Sequence, residues 1–315
     1  MISASAPAKV ILFGEHAVVY GQPAIAVPVS SLRATATVEY RSPDGLGVRS
    51  VAADLAQTFP TQVDVSTVDS ALSLTTQLVC QKIGVPTPDI TITIDSDIPI
   101  ASGLGSGAAV STAIARALTT ALGHPLDSEA ISQLVYEVEK LHHGTPSGID
   151  NTVIAYEQPV YFVRGHPIES ITIAKPFHLL IADSGRGALT RVTVGEVRKL
   201  YEVNPDQIQP ILDAIGRIAT QAREFITTGM TDMLGSLMLD NHGLLQQLTV
   251  SSPELDTLVK AAMEAGALGA KLSGGGRGGN MIVLVTEQSS DEVADAIRRA
   301  GAVRVISTMV GGREC

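Results

Sequence analysis

Aromatic residues are scarce in this chain of 315 residues: they make up 3% of the sequence, and tryptophan is absent. Proteins that stack nucleic-acid bases need aromatic side chains, and proteins that bind the phosphate backbone need a basic face. Charged residues amount to only 17%, and the formal net charge is −10. The composition therefore argues against nucleic acid as a partner and favours a small ligand.

Cysteines and long apolar runs are also rare. The two cysteines, Cys80 and Cys315, are too few and too badly placed for a disulfide framework or a metal knuckle, which indicates a reducing compartment. No window approaches the roughly eighteen apolar residues that a membrane span requires. The N-terminal "MISASAPAKVILFGEH" lacks the uninterrupted apolar stretch of a signal peptide. We expect a cytoplasmic protein without a membrane partner.

The apolar residues that are present, 45% of the sequence, follow both strand and helix patterns. "DITITIDSD" alternates Ile90, Ile92 and Ile94 as a half-buried strand does, and "DSEAISQLVYEVEKLHHG" has helical spacing up to Gly144. "RSPDGLGVRS", residues 41–50, carries the signals of a turn. Similar patterns predict strands in "AKVILFG", "SLRATATVEY", "FHLLIADSG" and "NMIVLVT", and helices over residues 66–83, 206–226 and 231–248 and in "DTLVKAAMEAGAL". A change of character near residues 175 and 176 predicts a boundary between domains 1–175 and 176–315.

The stretch "IPIASGLGSGAAVS" has the composition of an anion-binding loop. Gly103, Gly105 and Gly107 lie among the hydroxyls of Ser102 and Ser106, and a helical pattern follows. Residues without Cβ let backbone N–H groups converge on one point, and a helix N-terminus adds the positive end of its dipole. The residues leave two alternatives open, a plain connection or Ser106 as a helix N-cap. The stretch is neither a Walker loop nor a complete dinucleotide fingerprint.

A second glycine run, "KLSGGGRGGNM", extends from Lys271 to Met281. Five glycines within six positions carry a high entropic cost on folding. A flexible connection is the plain alternative, although a connection between two elements rarely needs so many glycines.

Charged residues occur in two apolar or turn-rich stretches. Lys9, Glu15 and His16 lie in "SAPAKVILFGEHAVVYGQPAIAV", where buried charges are normally paired or functional, and a tight turn is the structural alternative. Glu139 lies on the edge of the apolar face of its helix, and Asp150 follows in the polar loop "TPSGIDN". A cap or turn role is the alternative for Asp150, and spacing alone does not choose.

Four stretches, in this order along the chain, resemble the motifs of the GHMP kinase family: "SAPAKVILFGEHAVVYG", "PIASGLGSGAA", "HGTPSGIDN" and "KLSGGGRGG". The first and third resemble the mevalonate kinase branch in particular. The resemblance covers the chain from Ser5 to about Val285. It implies an α+β fold with a ribosomal S5 domain 2-like N-terminal domain (1–175), which carries the ATP phosphate loop, and a ferredoxin-like C-terminal domain (176–315).

The resemblance also implies a reaction, the transfer of a phosphoryl group from ATP to the C5 hydroxyl of mevalonate with Mg²⁺. Asp150 matches the family's base toward the substrate hydroxyl, and Lys9 matches the lysine that keeps such a base ionised. Glu139 matches a magnesium ligand, and Ser106 is a second candidate ligand. The residues that match positions lining the substrate are Glu15, His16, Ser147 and Thr190. Those that match the ATP site are Ser102, Gly103, Leu104, Gly105, Ser106, Gly107, Ala108, Gly274 and Gly275.

Three positions depart from the family pattern. The usual glycine before Lys9 is Ala8, which is a small change. Gly107 stands where mevalonate kinases commonly have a second serine, so that one hydroxyl, often a magnesium ligand, is absent. Arg277 interrupts the second glycine run. It either adds a positive charge near a phosphate or the substrate carboxylate, or lies exposed at a loop tip.

Two further functions stay open at this point. One is a sibling kinase that acts on phosphomevalonate or another small alcohol, and the other is a GHMP-fold sensor that binds a ligand without turnover. The presence of Lys9, Glu139 and Asp150 together argues against the sensor. A homodimer is also left open.

Overall fold

The structure is a computed structural model, and it describes residues 1–40, 49–52, 57–60, 71–86, 88, 90–99, 103–143, 146–187 and 190–312. The helices are α1 (Ala71–Ile83), α2 (Ser106–Ala121), α3 (Ser128–His143), α4 (Ile149–Tyr156), α5 (Thr190–Val203), α6 (Pro205–Thr228), α7 (Leu234–Gln247), α8 (Pro253–Glu264) and α9 (Ser290–Arg299), with short 3₁₀ helices at Ala17–Tyr20 and Thr231–Met233. The strands are β1 (Ile2–Phe13), β2 (Ala24–Tyr40), β3 (Arg49–Ala52), β4 (Gln57–Pro60), β5 (Ile90–Ser96), β6 (Val160–Phe162), β7 (Glu169–Ser170), β8 (Phe177–Asp183), β9 (Gly269–Ser273), β10 (Asn280–Val285) and β11 (Arg304–Val310).

The chain divides into two compact units. Unit one comprises Met1–Ala8, Ser30–Ile100 and Gly105–Glu157, and unit two comprises Lys9–Val29, Ala101–Leu104 and Gln158–Cys315. β1 and β2 each contribute residues to both units.

Unit one combines a sheet with helices α1 to α4. Residues 34–40 of β2 pair antiparallel with β5, which pairs in parallel with β3, and β3 pairs antiparallel with β4. Ile90, Ile92 and Ile94 are all buried on one face of β5, which confirms the alternation in the sequence. α3 also confirms its prediction, since Ile131 and Val138 of its apolar face are buried.

Unit two contains a four-stranded antiparallel sheet in the order β11-β8-β10-β9. Its core consists of apolar side chains from this sheet and from the helices that pack on it, among them Leu180, Leu212, Leu258, Val283 and Ile297. The predicted strands "FHLLIADSG" and "NMIVLVT" are β8 and β10, and the predicted helices of this half are α6, α7 and α8.

The division into compact units differs from the single domain boundary that the sequence predicts between residues 175 and 176. Residues 9–29, 101–104 and 158–175 belong to unit two. For residues 9–29 and 158–175 the reason is strand pairing, because β6 pairs antiparallel with residues 24–26 of β2, so that these two segments fold together. No change of composition marks this division, since β1 and β2 run on as continuous strands.

Two predictions fall partly outside the described residues. The first five residues of the helix expected over 66–83 lie there, and α1 begins at Ala71. Most of the turn expected over 41–50 also lies there. Among the residues that the structure describes, no helix has the length and the apolar character needed to cross a membrane.

Candidate active site

The first glycine loop leads directly into α2. Gly103 and Gly105 have φ angles of 83° and 75°, a left-handed conformation that side chains disfavour. Helix α2 begins at Ser106, and its N-cap is Gly105, which has no side chain to accept a hydrogen bond. The alternative in which Ser106 caps the helix is therefore wrong. The first N–H groups of a helix have no intrahelical partner, and Gly107 is exposed in this first turn, so the turn offers donors to an anion.

Leu104, Ala108 and Ser102 also belong to the residues expected at the ATP site. Leu104 and Ala108 are buried, so only their backbone could face a nucleotide. The carbonyl of Leu104 accepts a hydrogen bond from the Lys9 N–H at 3.0 Å, which ties the loop to β1. Ser102 lies outside the described residues.

A carboxylate lies beside the first turn of α2. Glu139 of α3 is 8% exposed, and a Cβ built at Gly107 would lie 3.5 Å from its Oε1 atom. A buried carboxylate oxygen next to a helix N-terminus suits a hard cation such as Mg²⁺ when phosphate oxygens supply further ligands. In the described part of the chain, no three His, Cys, Asp or Glu side chains group closely enough to hold a metal by themselves.

Asp150 lies in the first turn of α4, not in a loop as the sequence suggested. Gly148, with a φ of 93°, precedes this helix, and the Ser147 hydroxyl accepts a hydrogen bond from the Ile149 N–H at 3.3 Å. The amide of Asn151 donates to the backbone carbonyl and hydroxyl of Ser132 at 3.0 and 2.9 Å, which fixes α4 against α3. Asp150 is half-buried.

Unit two brings together a second set of expected residues around the turn that follows β1. Lys9 is buried in β1, and Gly14 has a φ of 97° at a point where a Cβ would lie 2.5 Å from the Cα of Ala24. Only glycine fits there. The turn continues through Glu15 and His16 into the 3₁₀ helix at Ala17–Tyr20. Glu15 and His16 therefore lie in a turn, as the structural alternative for these two residues proposed.

Glu15 is fully buried and forms an ion pair with Lys271 of β9, which is fully buried as well. Burial raises the pKa of Glu15, and the positive charge of Lys271 works against that rise. Burial disfavours the charged form of Lys271 as well, and it therefore lowers the pKa of this lysine. The amide of Asn241 on α7 lies 3.4 Å from the other carboxylate oxygen of Glu15.

His16 is buried and neutral. Its Nε2 atom lies 3.0 Å from the carbonyl oxygen of Gly275, which can only accept, so this nitrogen carries the proton. Burial lowers the pKa of His16 to about 4; the bond to Gly275 opposes that shift and the charge of Arg277 adds to it.

The second glycine run is closely packed and is not a flexible connection. A Cβ at Gly275 would lie 2.9 Å from Oγ1 of Thr190, the exposed first residue of α5. A Cβ at Gly276 would lie 2.0 Å from the carbonyl oxygen of Val250. At Gly274 the nearest atom would be the carbonyl oxygen of Gly103, at 3.7 Å, so the second glycine run lies beside Gly103, which belongs to the same unit.

Arg277 is exposed, as one of its two alternatives predicted, and has a φ of 58°. Its guanidinium pairs with Glu196 of α5, and its Nε donates to the carbonyl of Thr249 at 3.2 Å. Its backbone N–H donates to the carbonyl of Val250 at 2.7 Å. Arg277 therefore fastens the second glycine run to α5.

The sequence reasoning missed two members of this group, Lys271 and Asn241. A signal for Lys271 was present, because a lone lysine inside "GALGAKLSG" has apolar and small neighbours only. Asn241 gave no signal, since an asparagine in an amphipathic helix is usually exposed.

Comparison with known proteins identifies the family. Residues 70–158 match the GHMP kinases N terminal domain, and residues 222–303 match the GHMP kinases C terminal domain. A mevalonate kinase of Thermococcus sibiricus is 38% identical over 97% of this chain and 95% of that protein. The chain belongs to the GHMP kinase family. It is therefore an ATP-dependent small-molecule kinase.

Solved GHMP kinase structures confirm the expected two-domain α+β fold. The crystal structure of the Methanococcus jannaschii mevalonate kinase matches with a TM-score of 0.85 and 27% identity, over 98% of both chains. The crystal structure of L. major mevalonate kinase in complex with R-mevalonate matches with a TM-score of 0.82 and 29% identity, over 98% of this chain and 96% of that one.

The low pKa of His16 makes stability depend on pH. The unfolded chain, in which a histidine has a pKa near 6.5, binds more protons than the folded chain down to about pH 4. The free energy of unfolding should fall by roughly 3 kcal/mol from His16 alone as the pH drops through this window. Urea titrations should show a shallower fall for His16→Gln and an unchanged fall for His124→Gln, an exposed control. An equal fall in His16→Gln and wild type would contradict the assignment.

The close approach of Gly276 to Val250 predicts a large effect of one methyl group. Gly276→Ala should lower the free energy of unfolding by roughly 3 kcal/mol or more, because backbone must move to admit the Cβ. Gly123→Ala is the matched control, since Gly123 has a similar φ of 77° and no atom lies within 4 Å of the point that its Cβ would occupy. It should cost only the conformational strain of about 1–2 kcal/mol. Equal losses in the two variants would mean that the glycine run is not closely packed.

Proposed function

We propose that this chain transfers the γ-phosphoryl group of ATP to the C5 hydroxyl of mevalonate. The observation that carries the proposal is the similarity to proteins named mevalonate kinase over nearly the full length of the chain. The identity to the Thermococcus sibiricus protein is 38%.

The phosphates of ATP bind at the first turn of α2. Support comes from the left-handed glycines before the helix and from the exposed Gly107 in its first turn. Converging N–H groups and the helix dipole stabilise negative charge there. In the second glycine run, Gly274 lies beside Gly103 of the first glycine loop, and Gly275 lies beside Thr190.

Mg²⁺, when bound with ATP, neutralises phosphate charge, and Glu139 is its protein ligand in this proposal. The carboxylate of Glu139 is nearly buried beside Gly107, as a ligand for a hard cation should be. Ser106 is half-buried one residue earlier, and its hydroxyl is not used as a helix cap, so it is available for this role or for a phosphate.

Asp150 accepts the proton of the substrate hydroxyl. The hydroxyl oxygen attacks the γ-phosphorus, the bond from that phosphorus to the bridging oxygen of ADP breaks, and the proton passes to the carboxylate. Asp150 is half-buried in the first turn of α4, a position that leaves its carboxylate accessible to a substrate hydroxyl. Lys9 supplies positive charge to the same reaction.

His16, Ser147 and Thr190 are the substrate contacts in this proposal. His16 is neutral, so it offers mevalonate a hydrogen bond and not a charge. Glu15 belongs to the expected set too, but it is fully buried against Lys271, which favours a supporting role.

The direct test is an ATPase-coupled assay over mevalonate, phosphomevalonate, galactose and homoserine. The proposal expects turnover with mevalonate at a kcat/KM well above those of the other three alcohols. A preference for phosphomevalonate would establish the sibling kinase instead, and binding without turnover of any substrate would establish the sensor. A homodimer, a cytoplasmic location and the lack of nucleic-acid and membrane partners stay predictions.

Asp150→Asn should keep the fold and the affinity for ATP but lower kcat by roughly two to four decades, because an amide cannot accept the proton. Asp206→Asn is the matched control, since Asp206 also lies in the first turn of a helix but is exposed on α6. Steady-state kinetics and the thermal midpoint of both variants decide the matter. Near-normal turnover of Asp150→Asn would remove this residue from the mechanism.

Glu139→Gln should raise the Mg²⁺ concentration needed for half-maximal activity while the KM for mevalonate changes little, because a neutral amide is a poorer ligand for a hard cation. With Gly107 in place of a serine, Glu139 should matter more than it does where two ligands are present. Glu129→Gln, an exposed substitution on the same helix, is the control. An unchanged magnesium titration in Glu139→Gln would refute the role.

A further inference from the structure

Lys271 is a fully buried lysine to which the sequence analysis assigned no role. Its ammonium donates to the carboxylate of Glu15 and to the carbonyl of Leu272, the latter at 2.6 Å. Removing either charge would leave the other buried and unpaired, which is strongly unfavourable. We call these two residues the Glu15–Lys271 pair.

The pair is one of three links between the end of β1 with its turn and the strand that opens the second glycine run. The Ser273 hydroxyl donates to the carbonyl of Ile11 at 2.9 Å and accepts from its N–H at 3.2 Å. His16 contacts the carbonyl of Gly275 at 3.0 Å. The three links join Ile11, Glu15 and His16 to residues 271–275, so the turn and the run form one piece of unit two.

Helix α7 also contacts Glu15 and the strand that carries Lys271. The amide of Asn241 lies 3.4 Å from Glu15, and the next residue, His242, accepts from the Leu272 N–H at 3.3 Å through Nδ1. The helix can reach the strand because a Cβ at Gly235 would lie only 2.0 Å from the carbonyl oxygen of Leu268. Consecutive side chains of α7 therefore fix both the acid and the strand that carries the lysine.

His16 needs such an anchor. Its φ of 60° is unfavourable for a residue with a side chain, and strain of this kind persists only where the surroundings enforce it. The residue directly before it, Glu15, is held by Lys271 and by Asn241. The anchored carboxylate fixes the backbone from which the imidazole projects.

We propose that Lys271 is a positioning residue, whose ion pair with Glu15 holds His16 in its strained conformation against the second glycine run. Glu15 then acts through His16 and does not touch the substrate. The consequence for mevalonate rests on the proposed function, but the consequence for the state of His16 does not.

Kinetics of Lys271→Met, Glu15→Gln and the double variant test the proposal. Lys271→Met leaves a buried acid unpaired, so its thermal midpoint should fall, and its KM for mevalonate should rise about tenfold or more because His16 is displaced. The KM for ATP should stay unchanged. The double variant has no unpaired buried charge, so its midpoint should recover while its KM for mevalonate stays high.

Lys260→Met, which removes an exposed lysine on α8, is the matched control and should leave every parameter unchanged. If Lys271→Met does not fold, Glu15→Gln and the double variant make the same comparison. Recovery of both the midpoint and the KM in the double variant would overturn the proposal, since the pair would then be purely structural.

A second readout does not depend on any activity. In ¹⁵N-histidine-labelled protein, with the His16 signal assigned by its loss in His16→Gln, wild-type His16 should show a protonated Nε2 and titrate with a pKa of about 4. In the double variant that pKa should move toward 6.5, because a released imidazole becomes hydrated. An unchanged titration would overturn the proposal even if mevalonate proves to be the wrong substrate.

Discussion

The close backbone packing of the second glycine run is the constraint on which the candidate site depends. At Gly275, Gly276 and Gly278 a Cβ would lie 2.9, 2.0 and 2.4 Å from the nearest atom, which belongs to Thr190, Val250 and Arg186 respectively. A chain that approaches its neighbours so closely cannot move independently of them. The run therefore fixes three features relative to one another: the start of α5, the Gly275 carbonyl that contacts the His16 imidazole, and Gly103 of the first glycine loop.

The site uses carboxylates in three different environments. Glu15 is fully buried and neutralised by Lys271, so its charge serves the structure. Glu139 is nearly buried beside a helix N-terminus, where the proposal places Mg²⁺. Asp150 is half-buried in the first turn of a helix, where a substrate hydroxyl could reach it. In the proposed mechanism, environment more than residue type distinguishes the supporting acid, the metal ligand and the base.

Much of the fold could be predicted from local patterns, and the links between distant segments could not. β5 and α3 were predicted because their burial follows a period of two and a helical period within a few residues. The Glu15–Lys271 pair joins residues 256 positions apart, and no local pattern encodes that distance. The division into units was missed because β1 and β2 continue from one unit into the other without a break. Likewise, Asp150 was expected in a loop because Pro146 and Gly148 precede it, whereas Gly148 in its left-handed conformation starts a helix.

Amide hydrogen exchange of the protein without ATP or mevalonate tests most directly whether the site is formed in advance. The N–H groups of Arg277 and Gly279 donate to Val250 and Arg186 at 2.7 and 2.6 Å. These two amides should therefore exchange slowly, at rates similar to those of β10, although they lie in a glycine-rich segment. Exchange as fast as that of an unstructured peptide, with protection only after ligand is added, would contradict the account.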